Sequence, residues 1–136
     1  MQLSKRTSTK TIGVFAVVSS VLLASGTASQ AASCEPGDKA LAGLYELTGV
    51  METGSIIVLL ADGRFGYELT VGAYDEIARG CWKRDGSTVT LNVNEMRVND
   101  GDQKFKQLKL KLKSGDKLIR DHKGKPWGTY ERVAKY

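Results

Sequence analysis

A period of two runs through most of this chain and leaves little choice of secondary structure. Leu108, Leu110 and Leu112 interleave with Lys109, Lys111 and Lys113. Only an extended segment puts the leucines on one side and the lysines on the other, because successive strand side chains point to opposite faces. The same alternation holds for Leu41, Tyr45 and Leu47 around Glu46, for Phe65, Tyr67, Leu69 and Val71 around Glu68 and Thr70, and for Val89, Leu91 and Val93 around Thr90 and Asn92. No helical period competes after Pro36.

Turn signals separate these runs. Asp62-Gly63 and Asp85-Gly86 each lie between β-rich segments, Ser114-Gly115-Asp116 lies before Leu118, and Asn99 to Asp102 marks a longer loop. Strands are predicted over 41–50, 55–60, 64–71, 76–84, 88–93, 105–113, 117–120 and 127–133. The expected fold is all-β, a small antiparallel up-and-down β-barrel of about eight strands, since closure removes exposed edges. A two-sheet β-sandwich is the alternative.

The N-terminus reads differently. Lys5, Arg6 and Lys10 precede an apolar run from Ile12 to Ala24, and small residues follow up to Ala31. That is the plan of a signal peptide, and the run is shorter than the roughly 20 residues that a membrane-spanning helix needs. Residues 1–31 are therefore expected to be a signal peptide cleaved after Ala31, and 32–136 a single β-barrel domain, periplasmic or secreted. A competing reading makes Cys34 a lipidated cysteine, although no Leu stands three residues before it and it lies well beyond the apolar run.

Cys34 and Cys81 are the only cysteines, and an oxidising compartment favours joining them in a structural disulfide. A zinc site would have to be completed by His122, the only histidine, and would still lack ligands. No metal or other cofactor is expected. The Asn99 to Asp102 loop does not fit a helix-loop-helix calcium site, because the first ligand position would fall on Met96. His122 sits in a polar turn with no nucleophile motif beside it, so no enzyme is expected. Glu46, Glu68 and Asp75 are the carboxylates that convergence across strands would bring together.

Charge is unevenly spread. Residues 34–102 carry six Lys or Arg against twelve Asp or Glu, and residues 103–136 carry eleven against three. Lys109, Lys111 and Lys113, with Lys104, Lys106, Lys117, Arg120, Lys123 and Lys125, form a candidate basic face for an anionic envelope polymer. Ordinary solvation of an outer sheet face competes with that reading. Nucleic acid is not expected, since only Phe105 and Trp127 offer stacking platforms among these cations.

Ile56 to Leu60 is apolar on both faces, so its outer side needs a cover. The choices are an N-terminal segment pinned by Cys34, or a second copy or partner protein that meets Ile57 and Leu59. Glycine also recurs two residues before an aromatic, in Gly43-Leu44-Tyr45, Gly80-Cys81-Trp82 and Gly128-Thr129-Tyr130, as bends in a barrel wall require.

Leu41 to Tyr45 resembles the Gly-x-aromatic opening of the first strand in lipocalin-like and avidin-like barrels. The segment Gly54 to Phe65, then Gly80-Cys81-Trp82 and Arg84-Asp85-Gly86, is similar to small uncharacterised exported proteins of Gram-negative bacteria over roughly Leu41 to Val93. The resemblance implies a barrel and export, and carries no catalytic or ligand residue with it. Three functions follow as expectations. The first is binding of a small apolar ligand in a barrel mouth lined by Tyr45, Tyr67, Trp82 and Tyr130. The others are a protein-interaction module, such as an inhibitor or immunity factor for a periplasmic enzyme, and a binder of anionic polymers.

Overall fold

A computed structural model describes residues 33–136. The expected signal peptide, residues 1–31, lies outside the described residues. The rest is a closed barrel of eight antiparallel strands in sequence order: β1 (Gly43–Thr48), β2 (Thr53–Leu59), β3 (Arg64–Val71), β4 (Tyr74–Asp85), β5 (Thr88–Val98), β6 (Gln107–Leu112), β7 (Lys117–His122) and β8 (Lys125–Lys135). One turn of 3₁₀ helix, Lys39–Leu41, precedes β1. The barrel closes where β8 pairs with β1, from Gly43 opposite Lys135 to Thr48 opposite Thr129.

Alternation decides what lies inside. Tyr45, Ile57, Leu59, Tyr67, Val89, Leu91, Leu110, Leu118 and Tyr130 are buried, while their strand neighbours Glu46, Glu68, Lys109 and Lys111 are exposed. Burying one such large apolar side chain contributes about 1.5 to 3 kcal/mol. The interior is therefore a packed core, as expected for a barrel of about eight strands.

The observed strands outrun the predicted ones most clearly in β5, which the alternation ended at Val93. A bulge explains the difference. Arg79 pairs with Glu95 but Gly80 pairs with Val93, so Asn94 is the extra residue. The inward phase shifts there, and Met96, beyond the bulge, packs against the core. Glycine is required opposite the bulge, since a Cβ at position 80 would stand 2.0 Å from the Asn92 carbonyl oxygen. The other two glycine-x-aromatic sites also lie beside pairing irregularities, between Leu44 and Tyr45 on β1 and between Arg120 and Asp121 opposite β8.

Cys34 and Cys81 are joined in a disulfide, and a sulfur in that bond is not open to acylation. The bridge fixes the segment before β1, which crosses the β2–β3 turn rather than running along β2. Gly37 N–H donates to Ala61 O at 3.0 Å. Gly63 allows the crossing twice over: its φ is +87°, and a Cβ there would lie 1.8 Å from Glu35 O. The cover expected over β2 thus reaches only its end. Ile57 and Leu59, expected to meet a partner, are fully buried and face the core. Their outward neighbours Ile56 and Val58 are half-buried, with Ile77 on β4 exposed nearby.

Candidate functional site

The two ends of the barrel are built from different chemistry. At the end holding the β2–β3, β4–β5 and β6–β7 turns, the segment 34–42 forms a plug. Leu41 and Ala42 are buried, and the Tyr45 hydroxyl donates to Leu41 O at 2.7 Å. Trp82 fills the space beneath, with its indole N–H donating to Leu60 O at 2.9 Å and its ring packed so closely on Gly37 that a Cβ there would come within 2.3 Å. Arg84 pairs with Asp38 at 2.8 Å. Arg132 ties Ala40 O (2.6 Å) to the Asp116 carboxylate of the β6–β7 turn.

The opposite end is open. Leu69, Val71, Tyr74, Glu76, Gln103, Arg120, His122 and Trp127 line a recess of about 370 Å³. Its floor is a hydrogen-bonded chain. Arg120 Nη1 donates to the Tyr67 hydroxyl at 2.9 Å, Tyr67 donates to Glu76 Oε2 at 2.9 Å, and the Tyr74 hydroxyl donates to Glu76 Oε1 at 2.7 Å. Glu76 is only 7% exposed, and a buried carboxylate is tolerable when both oxygens are so satisfied. Beside it the Tyr130 and Ser55 hydroxyls share a hydrogen bond of 2.8 Å, and Ser55 also donates to Glu68 O at 2.6 Å.

Aromatic contacts hold the cation in place. The Arg120 guanidinium lies 4.8 Å from the Trp127 ring centre and 5.8 Å from that of Tyr67, within cation–π range. Phe105, from the β5–β6 loop, meets Tyr67 edge to face at 5.6 Å. Burial pushes the Tyr67 hydroxyl well above the ordinary phenol range and raises that of Tyr130. Tyr74 is pushed up to about 12, first because its hydroxyl donates to the Glu76 carboxylate.

Of the four aromatics expected to line a mouth, Tyr45 and Trp82 belong to the plugged end and serve packing. Tyr67 and Tyr130 lie under the open recess, at 2% and 0% exposure, as its floor rather than its walls. Arg120 is corrected from the basic outer face to the inner one, sharing the side of Leu118. Trp127 and Phe105 are engaged with Arg120 and Tyr67, not with the lysine face. Lys109, Lys111 and Lys113 are exposed, with Lys111 paired to Asp121 at 2.6 Å. Glu46 and Glu68 do not converge: they flank Ile56 in register on the outer face, while the Asp75 N–H bonds Asn99.

Sequence reading missed Glu76, Tyr74, Arg120 and Trp127 as one site. A signal existed for two of them. Glu76 stands in phase with Ala78 and Trp82, and Arg120 with Leu118, so each is a charge at an inward position.

Among the described residues no group of three or more His, Cys, Asp or Glu is placed to hold a metal ion, and no helix is long and apolar enough to cross a membrane. The arrangement is that of a small filled β-barrel with one plugged and one open end. No family model matches this sequence, and no curated protein and no solved structure shows significant similarity to it.

Proposed function

We propose that this chain is an exported, non-enzymatic binding protein of the cell envelope that holds a small molecule in the open mouth of its barrel. The observation that carries the reading is the contrast between the ends. At one end the core is shut off by covalent, apolar and ionic contacts, and the recess of about 460 Å³ there lies outside, against the plug and the β4–β5 and β6–β7 turns. At the other a recess of about 370 Å³ reaches the Glu76–Tyr67–Arg120 network itself and sets apolar side chains beside convergent polar ones, as ligand sites do. Glu76, Tyr67 and Tyr74 spend their hydrogen bonds on one another, and His122, exposed at the rim, has no Ser, Thr or Cys beside it in the lining, which suits recognition better than proton transfer. Export to the periplasm or beyond is supported by the disulfide and by the signal-like N-terminus.

A fragment screen followed by amide NMR tests the reading. Binding is expected to move the amide signals of Val71, Tyr74, Arg120 and Trp127, and to leave those of Ala40 and Trp82 in place. Fragments that shift only the plugged end, or no site, would overturn it.

A second reading rests on the outer face. Ile56 and Val58 on β2 lie near Ile77 on β4, which is 44% exposed, and Gly66 between them leaves space where a side chain would stand. That patch favours a protein partner or a second copy of the chain. Concentration-dependent sedimentation of the wild type and of Ile77→Lys tests it, with loss of association in the variant as the supporting result.

A further inference from the structure

The recess has a floor, a wall and one cation whose hydrogen-bonding capacity is largely unspent, and together these define a ligand class. The inference rests on the mouth being a binding site. We infer that the mouth takes a short organic anion: a carboxylate, or a group of like geometry, on a compact flat apolar body.

Arg120 supplies the charge recognition. A guanidinium has five N–H donors in a fixed fork. In this protein one of them is given to the Tyr67 hydroxyl, the Tyr130 hydroxyl lies close enough to engage a second, the others are unspent, and no carboxylate lies within ion-pair distance of the group among the described residues. The nearest negative charge in the network, Glu76, is reached only through the Tyr67 hydroxyl. Stacking on Trp127 occupies a face of the guanidinium and leaves its edge for a planar acceptor, the geometry in which arginine binds carboxylates in pairs of hydrogen bonds.

Glu76 does not compete for a cationic ligand. Both its oxygens accept tyrosine hydroxyls and it is nearly inaccessible, so its charge serves to orient Tyr67 and, through Tyr67, Arg120. The walls select the rest of the ligand. Leu69, Val71 and Tyr74 offer an apolar side, and Val71 is 41% exposed.

The floor sets the length. Tyr67 and Tyr130 close the shaft below the recess, and the core beneath them is packed up to the plug. A long acyl chain has no room to descend. The ligand must lie in the mouth.

Calorimetric titration with naphthoate, with naphthylmethanol, which has the same ring system without the charge, and with palmitate tests the inference in the folded wild type and in Arg120→Gln and Arg120→Lys. Naphthoate should bind the wild type at least about tenfold more tightly than the alcohol, the factor expected of a charge-assisted pair. Arg120→Gln should erase that preference, and its urea denaturation curve shows that the variant is folded. Arg120→Lys should keep part of the preference, and palmitate should not bind more tightly than naphthoate. Equal affinity for naphthoate and the alcohol in the wild type, or a preference that survives in Arg120→Gln, overturns the anion assignment and leaves the mouth as an apolar site. Failure of every probe to bind overturns both the inference and the binding site beneath it.

Discussion

The plugged end and the open end of this barrel use the same residue types for opposite purposes. At the plugged end Arg132 and Tyr45 direct every polar atom at the chain itself: the Tyr45 hydroxyl to Leu41 O, the guanidinium to Ala40 O and Asp116. At the open end Arg120 and Tyr67 form a similar pair, but the arginine keeps free donors and faces a recess. Both arginines lie against a tyrosine ring, at 5.9 Å for Arg132 and 5.8 Å for Arg120. What separates them is the N-terminal segment, which lies over one end and leaves the other open. A filled barrel thus acquires a recess lined by inward side chains by leaving one end uncapped rather than by hollowing its core.

The largest expected effect breaks the plug. The Cys34–Cys81 bridge closes a sequence separation of 47 residues, and in the chain-entropy model such a loop contributes about 4 kcal/mol by restricting the unfolded chain. The double variant Cys34→Ser/Cys81→Ser should lose about that much stability in urea denaturation. Its affinity for mouth ligands should stay unchanged. An equal loss at both ends would mean that the ends are mechanically coupled and that the comparison is false.

A smaller effect should follow from Gly37→Val. The new side chain would meet the rigid Trp82 indole, not a flexible tip, and overpacking of this kind costs about 1 to 3 kcal/mol. Faster amide exchange at Gly37, with β3 and β4 unaffected near Tyr74, would locate the damage at the plug.

Legibility in the sequence follows the same division. The alternation of Leu108 to Lys113 and the Asp62-Gly63 turn are local, so strand number and antiparallel order could be read residue by residue. The cysteine pair was readable by elimination. The open site is only partly local: Arg120 on β7 and Trp127 on β8 are neighbours on one hairpin, but Glu76 on β4 meets them only because the sheet closes, and no spacing encodes that meeting. Arg120 was further hidden by the run of lysines around it, which share its charge but not its face. Ile57 and Leu59 misled in the opposite direction. A strand apolar on both faces does not say which set points inward, and register with β1 and β3 decides it.

Burial raises the Tyr45 phenol at the plugged end too, so the titration of the open end is read from Tyr74 and its variants. The Tyr74 phenol is held at about 12 by its bond to the Glu76 carboxylate, against 10.0 in the unfolded chain. A group whose proton is held more tightly when folded stabilises below its unfolded value and loses that contribution as pH rises through the folded one. Stability should therefore fall between about pH 10 and about pH 12, and less steeply in Tyr74→Phe, measured by urea midpoints. Glu76→Gln should move the Tyr74 step in tyrosinate absorbance down towards 10.0. It should also cost about 1 to 2 kcal/mol, because the amide cannot accept both hydroxyls. A Tyr74 step that stays near 12 in Glu76→Gln would break the hydrogen-bonded chain on which the orientation of Arg120 rests.

The smallest effect belongs to the outer lysines. Lys111 lies 2.6 Å from Asp121, but its side chain is 70% exposed, and exposed ion pairs contribute about 0 to 1 kcal/mol. Lys111→Ala should lower stability by no more than that, and 0.5 M salt (about a 4 Å screening length) should remove most of the difference. Naphthoate affinity separates two origins of anion attraction. If Lys111→Ala weakens it as much as Arg120→Gln does, the attraction comes from the summed positive charge of residues 103–136, and the mouth contributes only its walls. If affinity is unchanged in Lys111→Ala and survives salt, the charge that matters is the half-buried one on Arg120, held on Trp127 and screened little by the solution because the barrel end shelters it.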